Sequence, residues 1–109
     1  MSDYEYKEYE DPFYIGEDRD LECEVEERDD TAFTIASGTF ALYDSSGTRK
    51  LGPITDSDGR FDIDSQYLRY QLNANTGAYS ADLYRVEWEY IVGSQTYQDV
   101  FHLEMRAVP

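Results

Sequence analysis

The sequence is poor in the residues from which covalent links and most catalytic sites are built. Its 109 residues include one cysteine, one histidine, one tryptophan, three prolines and only two lysines. A single cysteine excludes an internal disulfide, so the fold depends on packing alone. Cys23 alternates along the chain with Leu21 and Val25. This spacing predicts a small buried hydrophobic side chain rather than a reactive thiol.

Long apolar runs and catalytic motifs are also missing. No run approaches the length of a transmembrane helix, and the start lacks the basic and apolar segments of a signal peptide. We therefore expect a protein that is made in solution, first in the cytoplasm. There is no Gly-x-Ser-x-Gly, phosphate-binding glycine loop or His-Glu-x-x-His pattern. His102 falls on the polar face of the last predicted strand, so we predict a surface residue there, no enzyme activity and no cofactor.

Negative charge is what the chain has in excess. The sequence carries 24 acidic residues against 9 basic ones, a formal net charge of −15. A field of that sign disfavours direct binding to nucleic acid and to anionic membranes. Many carboxylates with almost no lysine are typical of proteins from salt-loving organisms, whose high ionic strength screens self-repulsion. The alternative is an ordinary acidic protein that its charge keeps in solution.

Alternating apolar residues predict β-strands. Two long alternating segments meet at Gly93, and the first places one set of side chains on a buried face: Tyr84, Val86, Trp88 and Tyr90. Turn residues recur along the chain, and no segment shows the spacing of an amphipathic helix. A proline at position 53 confines its segment to a sheet edge or a bulge. The length suits one domain, so the sequence predicts an all-β fold of about seven short strands.

The first residues form a separate acidic piece. In residues 1–11, tyrosines are interleaved with charged side chains, and Pro12 ends the segment. Composition alone favours disorder, and the alternative is that a neighbouring subunit holds this arm along a sheet edge or in a groove. We therefore divide the chain into an arm of residues 1–11 and a domain of residues 12–109, and expect the arm to contribute little to the core. The candidate partner-binding residues are Tyr4, Tyr6, Tyr9, Phe13 and Tyr14.

One acidic turn is a weak candidate for a cation site. Asp56 and Asp58 lie in an Asp-Ser-Asp-Gly turn, and Ca²⁺ prefers several oxygen ligands on such a turn. However, Gly59 follows Asp58 directly and no glutamate closes the loop. An ordinary turn is the better interpretation, and we predict no metal site.

The segment Asn-Thr-Gly-Ala-Tyr-Ser-Ala, which ends at Ala81, carries a resemblance to immunoglobulin-like domains. It resembles the turn before strand F of that family, in which Gly77 would lead to the tyrosine of the tyrosine corner, Tyr79. In the family a cysteine two residues later bonds to one on strand B. Here alanine stands in that place, and Cys23 would be the lone occupant of the other; Trp88 comes too late to be the family's strand-C tryptophan. The resemblance implies an immunoglobulin-like antiparallel β-sandwich of about seven strands without a disulfide.

A broader pattern is similar to small immunoglobulin-like proteins encoded among the structural genes of tailed viruses. It consists of an initial strand, the segments 41–47, 76–79 and 84–90, and a terminal hairpin. This resemblance implies a structural protein of the virion, in a neck, tail or baseplate or as capsid decoration. Its partners would be protein subunits of the same homo- or hetero-oligomeric assembly. Together with the composition, it would suit a virus of a salt-loving host.

Two other functions are compatible with the composition. A carbohydrate-binding module would use tyrosine and tryptophan rings to stack on sugars, but it needs exposed rings, and Trp88 is predicted to be in the core. An acidic mimic of nucleic acid would occupy the groove of a DNA-binding protein, which the net charge allows.

Overall fold

The computed structural model describes residues 7–25, 34–64, 66–75 and 78–108. These residues form strands, turns and extended segments and contain no helix, so none of them belongs to a helix able to span a membrane. The strands are β1 (Lys7–Glu8), β2 (Phe13–Tyr14), β3 (Asp18–Glu24), β4 (Ile35–Tyr43), β5 (Arg49–Thr55), β6 (Phe61–Asp64), β7 (Tyr67–Asn73), β8 (Asp82–Val92) and β9 (Gln95–Arg106).

The strands form two sheets. The larger sheet has the order β1-β9-β8-β4-β5, with β2 also paired to β9, and the smaller sheet has the order β3-β7-β6. The two short N-terminal strands run parallel to β9, whereas every other pairing among the described strands is antiparallel. Seven strands have four residues or more, which agrees with the predicted number.

The β8–β9 hairpin confirms the period-two prediction. Gly93 turns the chain with a φ of 63°, a conformation that glycine adopts without strain. The hairpin then pairs in unbroken register from Val92 opposite Gln95 to Asp82 opposite Met105. The predicted inward side chains of β8 are all at most 1% exposed: Tyr84, Val86, Trp88 and Tyr90.

Aromatic rings join the two sheets in the core. Phe40 on β4 stacks on Tyr70 of the smaller sheet with ring centroids 4.5 Å apart. The same ring meets Trp88 edge-on at 5.0 Å. Cys23 on β3 is fully buried and unbridged, as its spacing predicted. Burial of these large apolar surfaces, rather than a covalent link, therefore holds the sheets together.

The strand order is that of an immunoglobulin-like sandwich. The smaller sheet corresponds to strands B, E and D, and β4, β8 and β9 correspond to C, F and G, with β5 in the place of C′. Pro53 lies on β5, an edge strand of the larger sheet, as predicted. The predicted all-β, immunoglobulin-like antiparallel β-sandwich without a disulfide is thus confirmed.

The tyrosine of the corner is not the predicted one. The hydroxyl of Tyr84 donates to the carbonyl oxygen of Ser80 at 2.9 Å and accepts from its N–H at 3.2 Å. Tyr79 is half-buried, with its ring edge-on to that of Tyr84, and it makes no hydroxyl hydrogen bond within the described ranges. The corner therefore lies five residues later than predicted, and fully buried Val86 takes the place of the family's second cysteine. Gly77 lies outside the described residues.

Candidate functional site

The described part of the predicted arm lies along this chain's own larger sheet. Lys7 pairs with Phe101 and Glu8 with His102 in the parallel β1–β9 ladder. The N–H of Tyr9 continues this ladder with a 3.1 Å bond to the carbonyl oxygen of His102. Residues 7–11 thus run beside β9 toward β2, while Tyr4 and Tyr6 lie outside the described residues.

Tyr9 connects the two sheets at this side of the sandwich. Its ring stacks on Phe101, with centroids 4.6 Å apart. Its hydroxyl donates to the carbonyl oxygen of Glu22 on β3 at 3.0 Å and accepts from Nε1 of Trp88 at 3.0 Å. Burial raises the pKa of the Tyr9 hydroxyl well above its ordinary value. The arm was expected to contribute little to the core, yet the partly buried side chain of Tyr9 packs against it.

A second polar cluster lies beside Tyr9, around the carboxylate of Asp99. Asp99 accepts from the thiol of Cys23 at 3.4 Å and from the hydroxyl of Tyr90 at 3.1 Å, and Lys7 Nζ lies 3.9 Å away. Burial, followed by the nearby negative charge of Asp99, raises the pKa of the Cys23 thiol. The thiolate is the reactive form of cysteine, so this environment favours an unreactive structural side chain.

Two of the predicted partner-binding residues follow the arm on β2. Phe13 is fully buried in the core, and the guanidinium of Arg19 lies over its ring at 4.7 Å. The same guanidinium donates through Nη2 to the carbonyl oxygen of Pro12 at 3.1 Å. Tyr14 is half-buried and opposite Arg106 in the ladder with β9. Of the predicted set, Tyr9 and Phe13 therefore face this chain's own interior.

An open cleft of about 600 Å³ lies between residues 7–11 and β3. Its apolar and aromatic lining consists of Leu21, Tyr9, Tyr67 and Phe101. Two cations, Lys7 and Arg19, contribute to its lining. They are outnumbered by carboxylates, which are Glu8, Glu10, Asp11, Asp20, Glu22 and Glu24. The cleft therefore presents a negative field to whatever enters it.

The weak cation candidates lie on the opposite edge of the smaller sheet, in the turn before β6. Asp56 and Asp58 are both exposed. Oδ1 of Asp58 accepts from the N–H of Arg60 at 2.8 Å, as turn aspartates do. No group of three or more metal-ligating side chains occurs in the portion of the chain that the structure describes.

Sequence reasoning did not identify Asp99, Glu22 or Arg19 as part of this region. A signal for Asp99 is present, because it shares the parity of Tyr97 and Phe101 on β9 and is therefore an acidic residue at an inward position. Glu22 and Arg19 carry no such signal, since their contacts are with residues that the fold brings from the N-terminal segment.

Comparison with known proteins gives a likeness of fold only. No family model matches the chain, and no curated protein matches it. The solved structures that are similar to this chain include the solution structure of the Ig-like domain of human Leucine-rich repeat-containing protein 4. The match covers 95% of this chain and 85% of that one, at 12% sequence identity and a TM-score of 0.38.

Proposed function

We propose that this chain is a non-enzymatic assembly protein that acts by binding other polypeptides. The observation that carries this proposal is the acidic cleft between residues 7–11 and β3, which is wide, open and bordered by an exposed strand. Such a surface suits a polypeptide partner better than a small molecule, because small ligands favour enclosed and mostly apolar pockets. The partner's contact surface is expected to be basic.

The hydrogen bonds of the buried side chains near the cleft support a non-enzymatic role. The groups that most often act as nucleophiles or proton donors near the cleft are Tyr9, Cys23 and Asp99, and each is used in a hydrogen bond that joins core elements. Burial raises the pKa of both the phenol and the thiol away from the neutral range in which a catalytic group works.

At a finer level, we propose a component of a tailed-virus particle, in a neck or tail or as capsid decoration. The resemblance of segments 41–47 and 84–90 to small immunoglobulin-like virion proteins supports this, and the acidic, lysine-poor composition suits a particle from a salt-rich environment. The chain would be located in the virion, and in the cytoplasm before assembly.

The test uses the two lysines of the chain, which mark opposite edges of the larger sheet. Lys7 on β1 borders the cleft and Lys50 lies on β5, with side chains 37% and 36% exposed. The native assembly is sedimented from its source at low and at molar salt and treated with an amine-reactive crosslinker. We expect the chain to sediment as part of a particle and to crosslink to another polypeptide through Lys7 more than through Lys50. A chain that sediments alone under both conditions would refute the proposal.

A nucleic-acid mimic remains a second candidate, because the outer face of the smaller sheet is strongly acidic. Asp62 and Asp64 on β6 and Glu22 on β3 surround one cation, Arg69. Displacement of double-stranded DNA from a basic DNA-binding protein, lost on adding salt, would favour this candidate. Trp88 is fully buried, so a sugar-binding module would have to stack on tyrosine rings alone.

A further inference from the structure

The free edge of β3 can be read from its pairing with β7. The two strands are antiparallel, with Leu21 opposite Tyr70 and Cys23 opposite Leu68. Just beyond the ladder, the N–H of Val25 donates to the carbonyl oxygen of Gln66 at 2.8 Å. In an antiparallel pair, bonded residues alternate with residues whose backbone groups point away. The odd-numbered residues of β3 therefore bond to β7, and the even-numbered ones direct their N–H and C=O groups outward.

These outward groups border the acidic cleft. Asp20, Glu22 and Glu24 line it, and the 3.0 Å bond from Tyr9 to the carbonyl oxygen of Glu22 confirms that this carbonyl points toward the N-terminal segment. A carbonyl oxygen has two lone pairs, so it can still accept a second bond. Within the described ranges, no strand pairs with β3 on this side, because β3 is the edge of the order β3-β7-β6.

An exposed edge of this kind is a template for another strand. The edge of β3 is seven residues long, or about 23 Å at the usual rise of a strand. Charged side chains on its outer face discourage addition of an acidic segment, and this applies to a second copy of a chain whose net charge is −15. The same charges attract a cationic segment.

We infer that the cleft binds an extended, lysine- or arginine-rich segment of a partner protein, which adds as a strand to the edge of β3. The inference rests on the proposed function and specifies its contact. Backbone bonds to Asp20, Glu22 and Glu24 hold the segment, the alternating basic side chains of the segment meet the carboxylates, and its other face lies toward Leu21 and Phe101.

The probe is a synthetic peptide of about nine residues in which lysine alternates with threonine and valine. Hydrogen exchange at individual amides of the full chain is measured by NMR with and without it. We expect the peptide to slow exchange of the Asp20, Glu22 and Glu24 amides, while those of Leu21 and Cys23 stay protected in both states. The same peptide with its backbone amides N-methylated keeps the side chains and the charge but loses the N–H donors, and should give no such protection.

Paired variants test the electrostatic part. Asp20→Asn combined with Glu24→Gln should weaken binding of the lysine peptide about threefold or more at low ionic strength. The control is Asp56→Asn combined with Glu89→Gln, which removes the same charge from two exposed carboxylates that do not line the cleft. That pair should leave the affinity within about twofold of the parent, because those carboxylates lie outside the cleft.

The inference is overturned if the lysine peptide does not bind, if it binds without slowing the three amides, or if the N-methylated peptide binds equally well. These results are separate from failure of the proposed function. A chain that crosslinks within a particle but rejects the peptide assembles through another surface. A chain that binds the peptide but sediments alone has the strand site without the assembly role.

Discussion

Replacing Tyr9 by phenylalanine removes one oxygen atom from the junction of the N-terminal segment with both sheets. The ring can keep its stacking on Phe101, 4.6 Å between centroids. Two hydrogen bonds disappear: the one that the hydroxyl donates to Glu22 and the one that it accepts from Trp88. The substitution therefore isolates the polar contribution of this contact from its apolar packing.

The two lost bonds have unequal costs. Glu22 lies on the exposed edge of β3, so its carbonyl oxygen can bond to water in the variant and loses little. Trp88 is fully buried, and its Nε1–H would be left without a partner. An unsatisfied buried donor costs about 1–3 kcal/mol. We therefore expect Tyr9→Phe to lower the free energy of unfolding by that amount.

Urea unfolding followed by fluorescence measures this change, because Trp88 is the single tryptophan and lies at the altered contact. The midpoint should fall while the slope of free energy against urea stays constant, since the exposed area is unchanged. Tyr43→Phe is the control. The Tyr43 ring lies over Arg85 at 4.6 Å, and its hydroxyl has no hydrogen bond among the described residues. The control should stay within about 0.5 kcal/mol of the parent.

Equal stability of Tyr9→Phe and the parent would refute this reasoning. It would mean that the N-terminal segment is not part of the cooperative unit, as the division at residue 11 supposes. A loss in both variants would mean that phenol hydroxyls stabilise this protein irrespective of their buried partners.

Three further outcomes are expected. Tyr84→Phe should lower the free energy of unfolding, measured in urea, by about 0.5–1.5 kcal/mol, and Tyr79→Phe should lower it clearly less. The reverse order would show that Tyr79, and not Tyr84, forms the tyrosine corner. Burial raises the pKa of the Cys23 thiol in the folded protein. Above about pH 8.5 the thiol therefore loses its proton in the unfolded chain first, and the free energy of unfolding falls as the pH rises. Cys23→Ala should make this fall shallower, and identical pH profiles of the variant and the parent would contradict a buried thiol. Gly52 and Gly47 both have positive φ, but a Cβ at Gly52 would meet the carbonyl oxygen of Phe40, whereas one at Gly47 would meet nothing within 4 Å. Thermal unfolding should therefore show that Gly52→Ala is more destabilising than Gly47→Ala. Equal Tm values for the two variants would contradict this crowding at Gly52.

Periodicity was sufficient for the longest elements and failed at the shortest. The 11 residues of β8 and 12 of β9 repeat their alternation often enough to fix which face is buried. By contrast, β1 and β2 have two residues each, too few for any period to be recognised. The tyrosine corner was misplaced for a related reason, since the turn motif before Tyr79 is local, whereas the bond that defines the corner depends on where β8 begins.

Composition and alternation are local properties of the chain, and they were enough to establish the all-β class, the absence of a disulfide and the acidic surface. Tertiary packing was needed to show that Tyr9 connects the two sheets and that acidic residues of β3 and of residues 7–11 line one cleft. The physical reason is that these contacts join residues far apart in sequence: Tyr9 and Trp88 are 79 positions apart, and Cys23 and Asp99 are 76 apart. Partners at such separations are chosen by sheet order and register, which no local pattern encodes.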